Sequence, residues 1–512
     1  MIATLRMAAF MMMILFAGAA DLVGKLTGGA GEFGYACAIH SNKVVVGAPR
    51  ANNSMGEAFV YETLLSQVAR VVASDGAASD EFGSSVAIDG ATFVVGAPGD
   101  NEKKGAAYVF NASTYSQTTK LTAGDDGEAN DYFGSAVAIY ENKIVVGAYG
   151  AFASAFDAGA AYVFDRGSLV QKLVAADSSE AAYFGRAVAI HIDWIVVGAH
   201  QDSDLGPNAG SAYVFDATTF NELSKLQASD AFNLDNFGRA VAVYADTIVV
   251  GAYLEDDLGT DAGAAYVFNA KTFDQLAKLV ASDGDSNDFF GYSVSVDADA
   301  IIVGAYGDAG DKGAAYVFDT SYTQTATLSA KNGGSGDVFG WSTAISQSSI
   351  VVGAYGDDDL GSDAGAVYSS LLVEFQPVAS SLLVGSDVAS SLLVASVTVE
   401  LGSDTSSLLV ASISVTLDFQ TDTSSLLVAS ISVTLDFQTD TSSLLVAVEL
   451  AQRGTDYRPV GVIHICALAG PDSVAVETSK WGADASTHLV TFVRALADSD
   501  SVAVELTQRR AL

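Results

Sequence analysis

Carboxylates hold the clearest chemistry in this chain. Three stretches set oxygen donors two residues apart ahead of a Leu-Gly turn. They are Asp202-Ser203-Asp204-Leu205-Gly206-Pro207-Asn208, Glu255-Asp256-Asp257-Leu258-Gly259-Thr260-Asp261 and Asp357-Asp358-Asp359-Leu360-Gly361-Ser362-Asp363. Donors at that spacing, with a glycine to let the backbone turn, could wrap a hard cation. Calcium is the candidate cofactor, and its candidate ligands are Asp202, Asp204, Asn208, Glu255, Asp257, Asp261, Asp357, Asp359 and Asp363. Sites of this kind without a bidentate Glu are weak, on the order of 10⁻⁴ to 10⁻³ M. The plainer reading is that Asp and Gly make turns, with side chains bonding nearby amides. Further acid recurs in Ala-Ser-Asp-Gly-like stretches: Asp75 with Asp80, Asp125 with Asp131, Asp283 with Asp288. Of the five histidines only His200 stands close to such residues, where an imidazole could act as a base or a ligand. Other copies of the same phrase carry Tyr or Pro there, which favours a tolerated loop residue. No Ser-His-Asp spacing, Cys-His zinc pattern or phosphate loop is visible, and no catalytic residue is assigned.

The elements that position this acid are repeats. Phe-Gly occurs at Phe33, Phe82, Phe133, Phe184, Phe237, Phe290 and Phe339, and Gly-Ala follows fourteen residues later each time, from Gly47 to Gly353. A further Gly comes nine or twelve residues on and leads into an Ala-Tyr-Val-Phe-like strand. Seven copies at a period of roughly 50 residues mean an array of identical supersecondary units. Within a copy, runs of about five apolar or alternating residues are bounded by Gly, Asp, Asn or Pro, a strand-and-turn pattern. Four antiparallel strands repeated seven times predict an all-β fold, a seven-bladed β-propeller. The first strand, rich in Ala, Ser and Val, belongs at the axis. The fourth, with Lys120-Leu121, Lys172-Leu173, Lys225-Leu226 and Lys278-Leu279, belongs at the rim. Leu22 to Leu26 matches that fourth-strand phrase but precedes the first Phe-Gly, so it is expected to complete the seventh blade and close the ring. In a meander the second-to-third loops and the inter-blade loops share one face, and most of the Asp and Glu falls there.

These motifs resemble the FG-GAP repeat family, whose best-known members are the seven-bladed propellers of integrin α subunits. The resemblance covers about two thirds of the chain. It implies a propeller that recognises extracellular ligands in adhesion. It also implies calcium loops between the first two strands, but those hairpins are short here, as at Asp89-Gly90 and Asp193-Trp194, and lack the alternating oxygens. The residue after Gly-Ala varies among Pro, Tyr and His, which is similar to the shorter, non-integrin branch.

The net charge of −37 argues against nucleic acid and anionic membranes as partners. Residues 1–20, with Arg6 ahead of an apolar run and small residues after it, read as a signal peptide, so a secreted protein without a membrane span is expected. Asn52 and Asn111 lie in glycosylation sequons. Cys37 takes a position that valine holds in other copies, and with Cys466 it makes no disulfide framework. The domains expected are the signal peptide, the propeller over 21–368, a Ser-Ser-Leu-Leu-Val repeat region over 369–450 and a tail over 451–512. Residues 406–423 and 424–441 are identical copies, so this extension is β-rich or poorly ordered and could self-associate. The functional expectation is a non-catalytic binding or adhesion module for an extracellular protein or glycan, acting through the acidic face. A structural protein of matrix or cell wall is the alternative, and a glycan-active propeller enzyme the third.

Overall fold

The computed structural model describes residues 22–371, except 29, 30, 63–65, 154, 348, 362 and 363, together with strands between 393 and 510. The expected signal peptide and Asp363 lie outside the described residues. Residues 36–71 form the first four-stranded antiparallel blade, and five more follow it in sequence order. In blade 2 the strands are Ser85–Asp89, Thr92–Ala97, Ala106–Asn111 and Gln117–Leu121. The residue types explain the layering. First strands alternate, as in Ala136–Tyr140, where Val137 and Ile139 are buried between half-exposed neighbours. Second strands such as Lys143–Ala148 are buried from their second residue on, as suits a β-branched run covered on both faces. Fourth strands are the most exposed, with Leu121 and Leu173 buried only at their ends.

The seventh blade is assembled from both ends of the ring. Ser342–Ser346, Ser349–Ala354 and Ala366–Leu371 supply three strands, and Leu22–Leu26 supplies the fourth. Lys25 stands opposite Tyr368 and Leu26 opposite Val367. The N-terminal closure expected from the Lys-Leu phrase is therefore present. The third strand ends at Leu371, opposite Ser349.

Hydrophobic clusters sit between blades rather than inside them. One joins Val45 and Val60 of blade 1 to Phe82, Phe93, Val95 and Tyr108 of blade 2, and similar clusters fill the other seams. The repeated motif is the seam itself. Gly56, which opens the third strand of blade 1, bridges to Phe82, whose ring packs edge-on at 5.5 Å from Tyr108 of blade 2. Equivalent bridges run round the ring to Gly365 and Phe33. The fourteen-residue spacing has a steric cause. A Cβ on Gly96 would lie 2.0 Å from the carbonyl oxygen of Gly134 in the next blade, and Gly134 itself has a φ of +89°. The same contact joins Gly353 of blade 7 to Gly34 of blade 1, so the motif closes the circle.

In the second unit, strands between Leu393 and Arg510 pair antiparallel into a five-stranded and a three-stranded sheet. The two identical copies pair with each other about Val415 and Val433, the same residue in each.

Candidate functional site

The acidic loops close around lysine. Lys278, opposite Tyr266 on the fourth strand of blade 5, places its Nζ 2.7 Å from Asp230, 2.9 Å from Glu255 and 2.6 Å from Asp257. In blade 4 Lys225 reaches Asp177 at 2.7 Å, Asp202 at 3.2 Å and also Asp204. In blade 7 Lys25 reaches Asp357 and Asp359, each at 2.7 Å. In blade 2 Lys120 reaches Asp75 at 2.7 Å and Asp100 at 3.0 Å. A third-strand tyrosine forms the floor of each cage. The Tyr213 hydroxyl donates to Asp177 at 2.8 Å and Asp202 at 3.1 Å, and that of Tyr368 to Asp357 at 2.7 Å. Burial alone would lower the pKa of Lys278, but its bonds to Asp230, Asp257 and Glu255 outweigh that and raise it. Burial raises the pKa of Glu255 despite the lysine beside it. Burial likewise opposes ionisation of Asp177 and Asp230, and there the lysine bonds, joined at Asp177 by the Tyr213 hydroxyl, win and hold both carboxyls low.

Two blades vary the cage. Blade 6 has Thr327 at the lysine position, so the Tyr316 hydroxyl donates to Asp308 at 2.8 Å with no ammonium beside it. Blade 3 keeps Lys172 but has Ala151 where blade 4 has Asp202; among the described residues the buried hydroxyls of Tyr162 there and of Tyr266 in blade 5 both lack a hydrogen-bond partner.

Six of the nine expected cation ligands, Asp202, Asp204, Glu255, Asp257, Asp357 and Asp359, thus converge on lysine. Asn208 and Asp261 instead occupy left-handed turn positions, with φ of 53° and 56°. Oxygens of Asp230, Glu255 and Asp257 lie within 4.8 Å of one another, and such a group could hold a metal. Among the described residues Glu255 Oε2 is buried with no hydrogen-bond partner. A metal there would meet the Lys278 ammonium, which already bonds all three. Between the first two strands, connections such as the two residues separating Ala136–Tyr140 from Lys143–Ala148 are too short to supply six or more oxygens. Of the sequon residues, Asn52 donates through its side-chain amide to Glu57. Asn111 Oδ1 accepts the amides of Ser113 and Thr114, the turn that Asp216 and Asn269 make in blades 4 and 5.

On the same face, the residues after Phe-Gly, with Pro98 and Tyr149 after Gly-Ala, line the mouth of the axis, around a cavity of about 340 Å³. Blades 5 to 7 and blade 1 build a continuous aromatic arc. Tyr253 stands 5.4 Å from Tyr292, Tyr292 4.4 Å from Trp341, Trp341 4.7 Å from Tyr355, and Tyr355 5.6 Å from Tyr35. Tyr306 packs on Trp341 at 5.1 Å. A second arc stacks Tyr132 on Tyr149 at 4.9 Å and Tyr183 on His200 at 5.8 Å. Between them Arg186 lies 5.7 Å from the Tyr149 ring and Arg239 4.1 Å from the Tyr292 ring. His200 therefore faces arginines rather than carboxylates. Burial first, and then Arg186 and Arg239, hold its pKa far below the ordinary value, so the ring is neutral. Sequence reasoning passed over this mouth because the first strands read as small-residue filler. The signal was the residue after Phe-Gly, where Ser84 and Ser135 give way to Arg186, Arg239, Tyr292 and Trp341.

Fold and seams define a closed β-propeller of seven repeated blades. The family description FG-GAP repeat matches residues 65–110, 115–164, 168–215, 220–268, 273–318 and 322–369. The chain belongs to the FG-GAP repeat family. Each matched unit runs from the fourth strand of one blade through the third strand of the next, so it spans a seam. No curated protein matches the chain in sequence. Among solved structures it is similar to a dihydro-heme d1 dehydrogenase, NirN, in complex with DHE, at 14% identity and a TM-score of 0.40, over 66% of this chain and 64% of that one. It is also similar to a prolyl endopeptidase, at 11% identity and a TM-score of 0.40, over 77% of this chain and 53% of that one. The chain thus spans less than two thirds of the length of either. Among the described residues no helix is long and apolar enough to cross a membrane.

Proposed function

We propose that this propeller is a secreted, non-catalytic binding module that recognises an extracellular protein or glycan through the face formed by the second-to-third and inter-blade loops. The observation that carries this reading is the axial mouth. Blades 2 and 3 carry Ser84 and Ser135 after Phe-Gly and fold like the rest, so the blade does not need Arg, Tyr or Trp at that position. Rings and cations grouped round a cavity, at positions free of any scaffold duty, are what a recognition site requires. The adhesion role of the integrin propellers that this family resembles supports the same reading. Calcium enters it as a weak cation on this face, competing with lysine for the cages.

The test is a glycan and protein array probed with the full chain, with and without calcium, alongside Trp341→Ala. The variant should stay folded, with a melting temperature lowered only by the ring contacts it loses, and lose at least tenfold in affinity for whatever the wild type retains. An empty array at micromolar protein, or ligands that the variant holds equally well, would overturn the proposal.

A further inference from the structure

We infer that the axial mouth is an anion site and that it takes a carboxylate-bearing sugar, the acidic unit of a uronate-type glycan. The inference rests on the reading of this face as a recognition surface and names what that surface takes.

Arg186 and Arg239 follow Phe-Gly in blades 4 and 5 and line the cavity together. Among the described residues neither guanidinium makes an ion pair; each has only an aromatic face, Tyr149 and Tyr292 respectively. This happens in a chain with 61 acidic residues against 24 basic ones, where a carboxylate partner is the default. The two charges oppose one another: Arg239 first, and then burial, lower the pKa of Arg186. The acids nearest the mouth are already held. Glu81 lines the cavity and Glu32 stands beside it, and Arg50 lies 3.4 Å from the first and 3.6 Å from the second. The other titratable groups facing the arginines are the phenols of Tyr35, Tyr149, Tyr253, Tyr292 and Tyr306, with His200 beyond them. His200 is 9% exposed, and among the described residues its buried Nδ1 has no hydrogen-bond partner. Two unopposed guanidinium forks on one cavity make a site that an arriving anion completes.

The fork geometry of guanidinium selects a planar, bidentate acceptor, which a carboxylate is. The walls select the rest of the ligand. Tyr35, Tyr149, Tyr292 and Trp341 are half-buried and line the cavity, and Ser84, Ser135 and Thr343 bring hydroxyls. A pyranose presents an apolar C–H face to such rings and hydroxyls at its edge, and a cavity of about 340 Å³ suits a terminal sugar unit. A peptide chain terminus shares the carboxylate but has no flat face for the arc.

The experiment titrates the full chain with a galacturonate trisaccharide, the neutral galactose trisaccharide and a trialanine with a free C-terminus, by calorimetry and tryptophan fluorescence at fixed ionic strength. The uronate should bind, the neutral sugar at least tenfold more weakly, and trialanine should not compete. Arg186→Gln and Arg239→Gln should each weaken uronate binding at least tenfold. Neither should lower the melting temperature, since each relieves a like-charge contact; Arg186→Lys, which keeps the charge and loses the fork, should fall between. Equal binding of acidic and neutral sugars, uronate binding untouched in both Gln variants, or a preference for trialanine would each overturn the inference. If no oligosaccharide binds while the array yields a Trp341-dependent ligand, the inference fails and the recognition reading stands. Array ligands independent of Trp341 sink the recognition reading instead.

Discussion

Lys278 shares one ammonium among three carboxylates, and its replacement measures what the cage contributes. Its side chain is 19% exposed, Glu255 is 7% exposed and Asp257 is 68% exposed, so the pair with Glu255 carries most of the effect. Removing one partner of a fully buried pair costs about 3–5 kcal/mol, and an exposed pair contributes under about 1 kcal/mol. Lys278→Met should therefore cost about 2 kcal/mol in chemical denaturation. It also leaves the Asp230, Glu255 and Asp257 oxygens facing one another with no cation. Millimolar calcium should then restore part of the lost stability, and should move the wild type less. Equal calcium responses in the two proteins would show that any calcium binds away from this cage. At this scale the sequence displayed the carboxylates but hid what they bind. Lys278 lies more than twenty residues from Glu255, and only the register of Tyr266 against Lys278 brings it over the loop. Read alone, a lysine on an outer strand looks like edge protection. Arg186 and Arg239 were hidden for a related reason: they sit in strands whose composition speaks of packing, and their meaning comes from neighbours in other blades.

Blades were legible because their signals are local and repeated. Period-two burial in Ala136–Tyr140, the β-branched run of Lys143–Ala148 and the bounding glycines are all read within one copy. Even the long-range closure by Leu22–Leu26 could be read, because a fourth-strand phrase was present at one end and missing at the other. The same repetition lets one blade serve as the control for another. Blade 6 lacks the cage lysine: Thr327 is exposed opposite Tyr316, and Asp308 takes the tyrosine hydroxyl with its own pKa raised by burial. Thr327→Lys should place an ammonium beside Asp308 and Asp283, as Lys225 stands beside Asp202 and Asp177. One charge-assisted bond in a half-exposed setting is worth about 1 kcal/mol. The melting temperature should rise by about 1–3 °C. The matched substitution Thr325→Lys, on the same strand but away from the cage, should leave it unchanged; a rise in both would show that added positive charge alone, rather than the cage, stabilises this protein.

At the scale of the whole molecule, charge is the dominant stress. A net charge of −37 destabilises the compact state by self-repulsion, and protonation relieves it. Two inter-blade carboxyls act in the same direction. Asp235 and Asp288 are 3% and 5% exposed, and burial pushes both up to about 6, although each accepts a backbone N–H at 2.7 Å. Unfolded, they titrate near 3.8. Between about pH 4 and 6 the native state therefore holds more protons than the unfolded one, and stability rises as pH falls through that window. Asp75, Asp177 and Asp230 have the opposite sign. Their carboxyls are held low in the fold, so their contribution is present above the unfolded value and is lost as pH falls below it. Maximal stability is expected near pH 5, with thermal melts rising from pH 8 to pH 5 and collapsing below about pH 3.5. Salt separates the two causes. Half-molar sodium chloride should flatten the diffuse repulsion, which it screens, and leave the buried carboxyls, which it reaches poorly. Asp235→Asn with Asp288→Asn, which keeps an oxygen for each backbone N–H, should then remove part of the remaining rise, the rest belonging to Asp80, Asp131, Glu255, Asp308 and Asp337, whose carboxyls burial also raises. A melt that is flat or falling from pH 8 to pH 5 in low salt would contradict both terms, and a rise that salt and the double substitution leave undiminished would place the responsible carboxyls elsewhere in the ring.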